Sequence, residues 1–196
     1  GLLADNTKAK EGKTYTALEH HFDEGFGYFG AARDYLSYTD AQVKSGLSKD
    51  SDSDSKVNMK SEKNFGISVN LAKRDVGSTT GTDLSTQGMK AFLVGRHLIA
   101  EKPEGYLDAV KKISIAIKQN WEKALAATVV HYINDVLSDM GKYGTADYSF
   151  ATHAKHWAEM KGFALGFQFN PHSLVDNDTF DKLHEHFGDA PVLGSA

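Results

Sequence analysis

EGYLDAVKKISIAIKQNWEKALAATVVHYINDVLSDM, residues 104–140, decides the fold class. Tyr106, Val110, Ile113, Ile117, Trp121, Leu125, Val129, Tyr132, Val136 and Met140 recur at steps of three or four. That spacing draws one apolar stripe along a helix, whereas a strand would alternate with period two. One long helix, or two nearly collinear ones, buries this stripe, and Gly141 and Gly144 stop it. Upstream, Leu84 to Ala100 reads as a helix that Pro103 ends, with Pro103 placed as the first residue of the next one. Downstream, Asp147 is positioned to cap a helix over Tyr148–Phe167, which Asn170-Pro171 closes. A short helix near 178–187 precedes a Pro/Gly tail.

Towards the start, Thr14–Leu36 reads as a helix whose Thr16 and Glu19 have the spacing of a capping box. Leu18, Phe22, Phe26 and Phe29 share its inner face. Gly25, Gly27 and Gly30 each weaken a helix by up to ~1 kcal/mol. Three of them imply the close approach of another backbone, or a break near Gly30. Residues 44–62 hold an acidic loop, and 63–82 read as irregular. With few stretches of period two, the expectation is an all-α helical bundle with long loops, formed by residues 1–196 as one domain or as two small lobes.

Composition narrows the function. The 196 residues carry 22 basic and 26 acidic side chains, a net charge of −4. No clustered basic excess marks a nucleic-acid partner. The absence of cysteine removes a structural disulfide, a thiolate zinc site and a cysteine nucleophile. No apolar run approaches the ~20 residues of a transmembrane helix. The chain opens on Gly1 rather than Met, which reads as an expression scar, a processing site or an arbitrary boundary, each compatible with a longer natural protein.

Two patterns carry chemistry. His-x-x-Glu occurs as His21/Glu24 and as His156/Glu159. Residues three apart share a helix face, so an imidazole and a carboxylate reach one ion together. That donor pair suits iron, zinc, manganese or copper. An aromatic follows each histidine (Phe22, Trp157), a glycine comes six residues on (Gly27, Gly162) and an aromatic seven on (Tyr28, Phe163). Two such helices packed together make a four-ligand cluster; taken singly, each pair reads as a self-satisfied helix contact. Glu19, His20, His153, and the spaced pairs His131/Asp135 and His97/Glu101 supply further imidazoles and carboxylates.

The second pattern is Asp50-x-Asp52-x-Asp54, followed by Lys56, Val57 and Glu62. Calcium loops place oxygen ligands at positions 1, 3 and 5, a backbone carbonyl at 7 and a carboxylate at 12. Lys56 offers the carbonyl at position 7. Ser55 takes the place of the turn glycine, and Glu62 stands at position 13. The alternative is a solvated Asp/Ser linker. No Gly-x-Ser-x-Gly, His-Glu-x-x-His or Walker loop occurs.

Several segments together resemble an uncharacterised family of exported bacterial lipoproteins distantly related to imelysin. They are YTALEHHFDEGFGYFG (15–30), SEKNFGISVNLAKRD (61–75), HYINDVLSDM (131–140), FATHAKHWAEMKGFALGFQFNP (150–171) and DAPVLG (189–194). The resemblance implies a further helical region before Gly1, so that this chain is the C-terminal part of a larger protein. It also implies a place in the periplasm or at the outer membrane or cell surface. Imelysin-like proteins carry a Gly-x-His-x-x-Glu motif tied to iron-responsive expression and metal binding. His21 and Glu24 match its His and Glu, while Glu19 replaces its glycine. The family's acidic loop ends in Asp-Gly before a Lys, where this chain has Ser55. The implied function is metal binding in iron or other metal uptake, with His21, Glu24, His156 and Glu159 as transition-metal ligands. Asp50, Asp52, Asp54, Lys56 and Glu62 would hold calcium. The alternatives are a non-catalytic module that binds a surface receptor or peptide, and a metallopeptidase.

Overall fold

A computed structural model describes residues 3–194. Among the described residues there are seven α-helices and no strand beyond one isolated bridge between Ala9 and Thr16. The helices are α1 (Ala17–Phe29), α2 (Asp40–Lys44), α3 (Ile67–Val76), α4 (Leu84–Glu101), α5 (Tyr106–Met140), α6 (Phe150–Leu165) and α7 (Asn177–Phe187). The all-α expectation holds, and 106–140 is one uninterrupted helix. The chain divides into two compact units, the first ending at Trp121 and the second beginning at Glu122.

In the first unit, Thr16 and Glu19 form the expected reciprocal cap. The Glu19 N–H donates to Thr16 Oγ1 (3.1 Å), and the Thr16 N–H donates to Glu19 Oε2 (2.8 Å). The core is aromatic. Phe29 is fully buried and stacks on Phe92 (5.2 Å between centroids) and on Trp121 (6.2 Å), while Phe22 meets Phe92 edge-on. Gly95 of α4 makes room for that cluster, since a Cβ there would lie 2.4 Å from Phe22 Cζ.

Helix α1 stops earlier than its periodicity suggests, because Gly30 adopts a left-handed φ of +75°. The chain after it is bound to the segment beyond the acidic loop. Phe65 N–H donates to Gly30 O (2.9 Å), Ala32 N–H to Asn64 Oδ1 (2.7 Å) and Arg33 N–H to Ser61 O (2.8 Å). Buried Ser68 donates to Gly30 O, and the Tyr35 hydroxyl donates to Ser68 O. These bonds fix residues 61–68, and with them Glu62.

Three boundaries differ from expectation. Residues 67–76 are helical, because Ser68, Leu71 and Ala72 make a buried i, i+3, i+4 face with one large apolar member. Pro103 lies in a turn: Lys102, at φ +52°, closes α4, and α5 begins only at Tyr106. Ser149 rather than Asp147 caps α6, accepting from the Thr152 N–H.

In the second unit Val129, Val136, Met160, Ala164 and Phe167 form the core, and α7 lays Phe180, Leu183 and Phe187 against it. Buried Glu122 holds the chain after α6, accepting from Ser173 Oγ (2.7 Å), the Leu174 N–H (2.6 Å) and Asn170 Nδ2.

Candidate metal centres

The acidic loop is ordered by its own carboxylates. Asp50 Oδ1 accepts from the Asp54 N–H (3.1 Å) and Oδ2 from the Ser55 N–H (2.8 Å). Asp54 Oδ1 accepts from the Lys56 N–H (2.8 Å). Ser53 and Ser55 take left-handed φ values of +61° and +67°, which wind the chain tightly between the aspartates. Glu62 is 1% exposed, and its carboxylate closes the loop. Oε1 accepts from the Ser51 N–H (2.7 Å) and Oγ (2.8 Å), and Oε2 accepts from the Asn58 N–H (2.7 Å). Led by the Asn58 N–H, these donors pull the Glu62 carboxyl down to about 2.

Carboxylate oxygens of Asp50, Asp52 and Glu62 lie within 4.8 Å of one another. The extra residue that puts Glu62 at position 13 does not keep it from the group. Asp54 and Lys56 stand outside this trio and are joined to each other. Asp52 accepts from the Asp54 N–H, which favours its ionised form. Desolvation and the charges of Asp54, Glu62 and Asp50 outweigh that bond and raise the Asp52 carboxyl. The trio thus offers three hard oxygen donors, two of them on exposed residues.

Ser55 occupies a conformation that costs a β-carbon about 1 kcal/mol or more. Ser55→Gly is therefore expected to stabilise the protein by about 0.5–1 kcal/mol, measured by urea unfolding in chelator, without displacing the carboxylates.

The two His-x-x-Glu pairs lie in different units and differ in detail. On α1, Glu24 is taken up by both neighbouring imidazoles, His21 Nδ1 at 3.1 Å from Oε2 and His20 Nε2 at 3.3 Å from Oε1. The bond to His21 leads the causes that hold the Glu24 carboxyl below its usual range. Glu19 is occupied by the helix cap and by Arg96, which also binds Asp23. On α6, His156 Nδ1 pairs not with Glu159 but with Asp139 Oδ2, at 2.7 Å. Asp139 is 4% exposed. Burial pushes its carboxyl up, but bonds from Lys142 and His156 outweigh that and hold it low. Glu159 Oε2 is buried without a hydrogen-bond partner.

The remaining candidates are simpler. His131 contacts Asp135 (3.4 Å), and His97 and Glu101 are exposed. His153 is fully buried, with Nδ1 near the hydroxyls of Tyr143 and Tyr148. One acidic group escaped the sequence reading: Asp40, Asp75 and Asp83, also within 4.8 Å of one another. Asp75 accepts from the Leu84 and Ser85 N–H groups and Asp83 from that of Thr86, so both are met by the amino end of α4. Asp40 accepts from Ser85 Oγ (2.6 Å), and burial raises its carboxyl. The spacing of these three aspartates gives no signal; only the fold joins them.

Phe22, Phe29, Tyr35, Phe92 and Phe167 are buried in the core, while Tyr28, Phe65, Phe150 and Phe169 are exposed. Among the described residues no helix is long and apolar enough to cross a membrane.

An all-α fold with carboxylate and imidazole groups gathered on its loops and helices defines a helical domain with candidate metal centres. The sequence model of the family described as Domain of unknown function (DUF4856) matches residues 3–185, nearly the whole chain, and the chain belongs to that family. No curated protein and no solved structure matches it.

Proposed function

We propose that this chain is a metal-binding domain of an exported protein that serves the uptake of iron or another metal, with a structural calcium ion in the 50–62 loop. The observation that carries the reading is the gathering of the Asp50, Asp52 and Glu62 carboxylates around one point. Among the described residues none of the three forms an ion pair with a basic side chain, so a hard divalent cation is the partner that suits them. His21, Glu24, His156 and Glu159 are the proposed transition-metal ligands. Kinship with imelysin-related lipoproteins, a periplasmic or outer-membrane location and a surface receptor as partner belong to the same proposal. They rest on the sequence resemblance.

Calcium titration followed by calorimetry and thermal unfolding tests the loop. Bound calcium stabilises the folded state by RT ln(1 + [Ca2+]/Kd), about 2.7 kcal/mol at a hundredfold excess over Kd. The expected result is one calcium per chain and a rise in Tm that chelator reverses. Both effects should vanish in the Asp50→Asn/Asp52→Asn variant. A Tm indifferent to millimolar calcium would refute the calcium site.

A further inference from the structure

We infer that Asp139 is a positioning residue that sets His156 to bind a divalent first-row transition ion through Nε2, with Glu159 as the second protein ligand on α6. The inference rests on the metal-binding reading above and separates its two histidine motifs, which are alike in sequence.

An ionised carboxylate only accepts, so the 2.7 Å contact between Asp139 Oδ2 and His156 Nδ1 puts the imidazole proton on Nδ1. The lone pair is then on Nε2, the form in which a histidine binds a metal. Asp139 is itself held. Lys142 Nζ donates to its other oxygen at 3.0 Å, and Asp139 is buried. The fully buried His153 lies one turn before His156 and anchors α6 below it. A carboxylate behind an imidazole is the arrangement that fixes tautomer and ring orientation in metal sites and raises ligand basicity.

Glu159 completes the set. It lies one turn beyond His156 on the same face of α6. Its Oε2 is buried and makes no hydrogen bond, and leaving a buried carboxylate oxygen unsatisfied costs stability. A cation bound by His156 Nε2 and Glu159 removes that cost. On α1 the same motif is closed on itself: His21 and His20 each spend a ring nitrogen on Glu24. The structure thus assigns the stronger half-site to α6.

Two readouts test this on the intact chain. Nitrogen-15 NMR of the metal-free protein reports the tautomer of His156 without any mutation. The expected signal is Nδ1–H in the native protein, shifting towards Nε2–H in Asp139→Asn, whose amide can donate. Zinc affinity, measured by competition with a chelating dye, is expected to fall about 10–100-fold in Asp139→Asn. It should be lost in His156→Ala and weakened in Glu159→Gln, while calcium binding is unchanged in all three. An Nε2–H tautomer in the native protein, or native zinc affinity in folded Asp139→Asn, overturns the role of Asp139 alone. Zinc binding that is absent, or indifferent to His156→Ala, overturns the transition-metal reading as well.

Discussion

Gly30→Ala is expected to destabilise the protein by more than about 3 kcal/mol. Two costs combine. Gly30 sits at φ +75°, where a β-carbon costs roughly 1–2 kcal/mol. The added carbon would also stand 2.4 Å from the carbonyl oxygen of Phe65, which belongs to backbone and cannot swing aside as a side chain can. Relief requires parting residues 30 and 65, which breaks the Phe65 N–H bond to Gly30 O and the Ser68 bond to the same carbonyl. Each is worth about 1 kcal/mol. Urea unfolding measures the loss. Gly27→Ala is the control, because it lies within α1 with nothing within 4 Å of its added carbon. That variant should gain up to about 1 kcal/mol from helix propensity. Equal losses in the two variants would show that residues 30 and 65 do not meet in this way.

Glu62→Gln is expected to loosen the closure of the acidic loop and to lower calcium affinity by about tenfold or more, because it removes one of three convergent charges. It also changes the response to acid. The Glu62 carboxyl is depressed in the folded state, from 4.5 to about 2. Its contribution is therefore fully present above the unfolded value and is lost as pH falls through that window. The native protein should exceed the variant in stability at neutral pH, and the difference should close between pH 4.5 and about 2. Urea unfolding across that range in chelator isolates the term. A constant difference would mean that Glu62 acts through shape and not charge.

The elements most legible in the sequence are those in which one physical rule acts alone. Helix α5 is visible because its stripe of large apolar residues recurs without interruption, and the α1 cap is visible because Thr16 and Glu19 are the residues that cap. The three glycines of this stretch point either to a close backbone or to a break near Gly30, and both occur at Gly30. Helix α3 was hidden because its buried face is built on serine and alanine, which a search for large apolar side chains passes over. The Asp50 loop could be read from its alternation, but its closure by Glu62 through Ser51 and Asn58 could not, since those bonds depend on residues 61–68 being held against residues 30–35. The partner of His156 was least legible. Glu159 stands at the suggestive spacing, yet Asp139, 17 residues away across the turn between α5 and α6, takes the hydrogen bond. Local spacing records which side chains share a helix face, not what the next helix brings to them.

The closure by Glu62 also decides where this chain can be cut. Lys56 and Lys60 lie between Ser51 and Glu62, both exposed and both substrates in type for a protease that cleaves after lysine. Cleavage requires several residues to straighten into the enzyme's cleft. While one carboxylate grips the backbone at Ser51 and Asn58, the intervening chain is folded back and cannot extend. The exposed lysines of the loop are thus shielded by geometry rather than by burial, and that shield lasts only while the carboxylates of Glu62, Asp50 and Asp54 stay ionised on the backbone they hold.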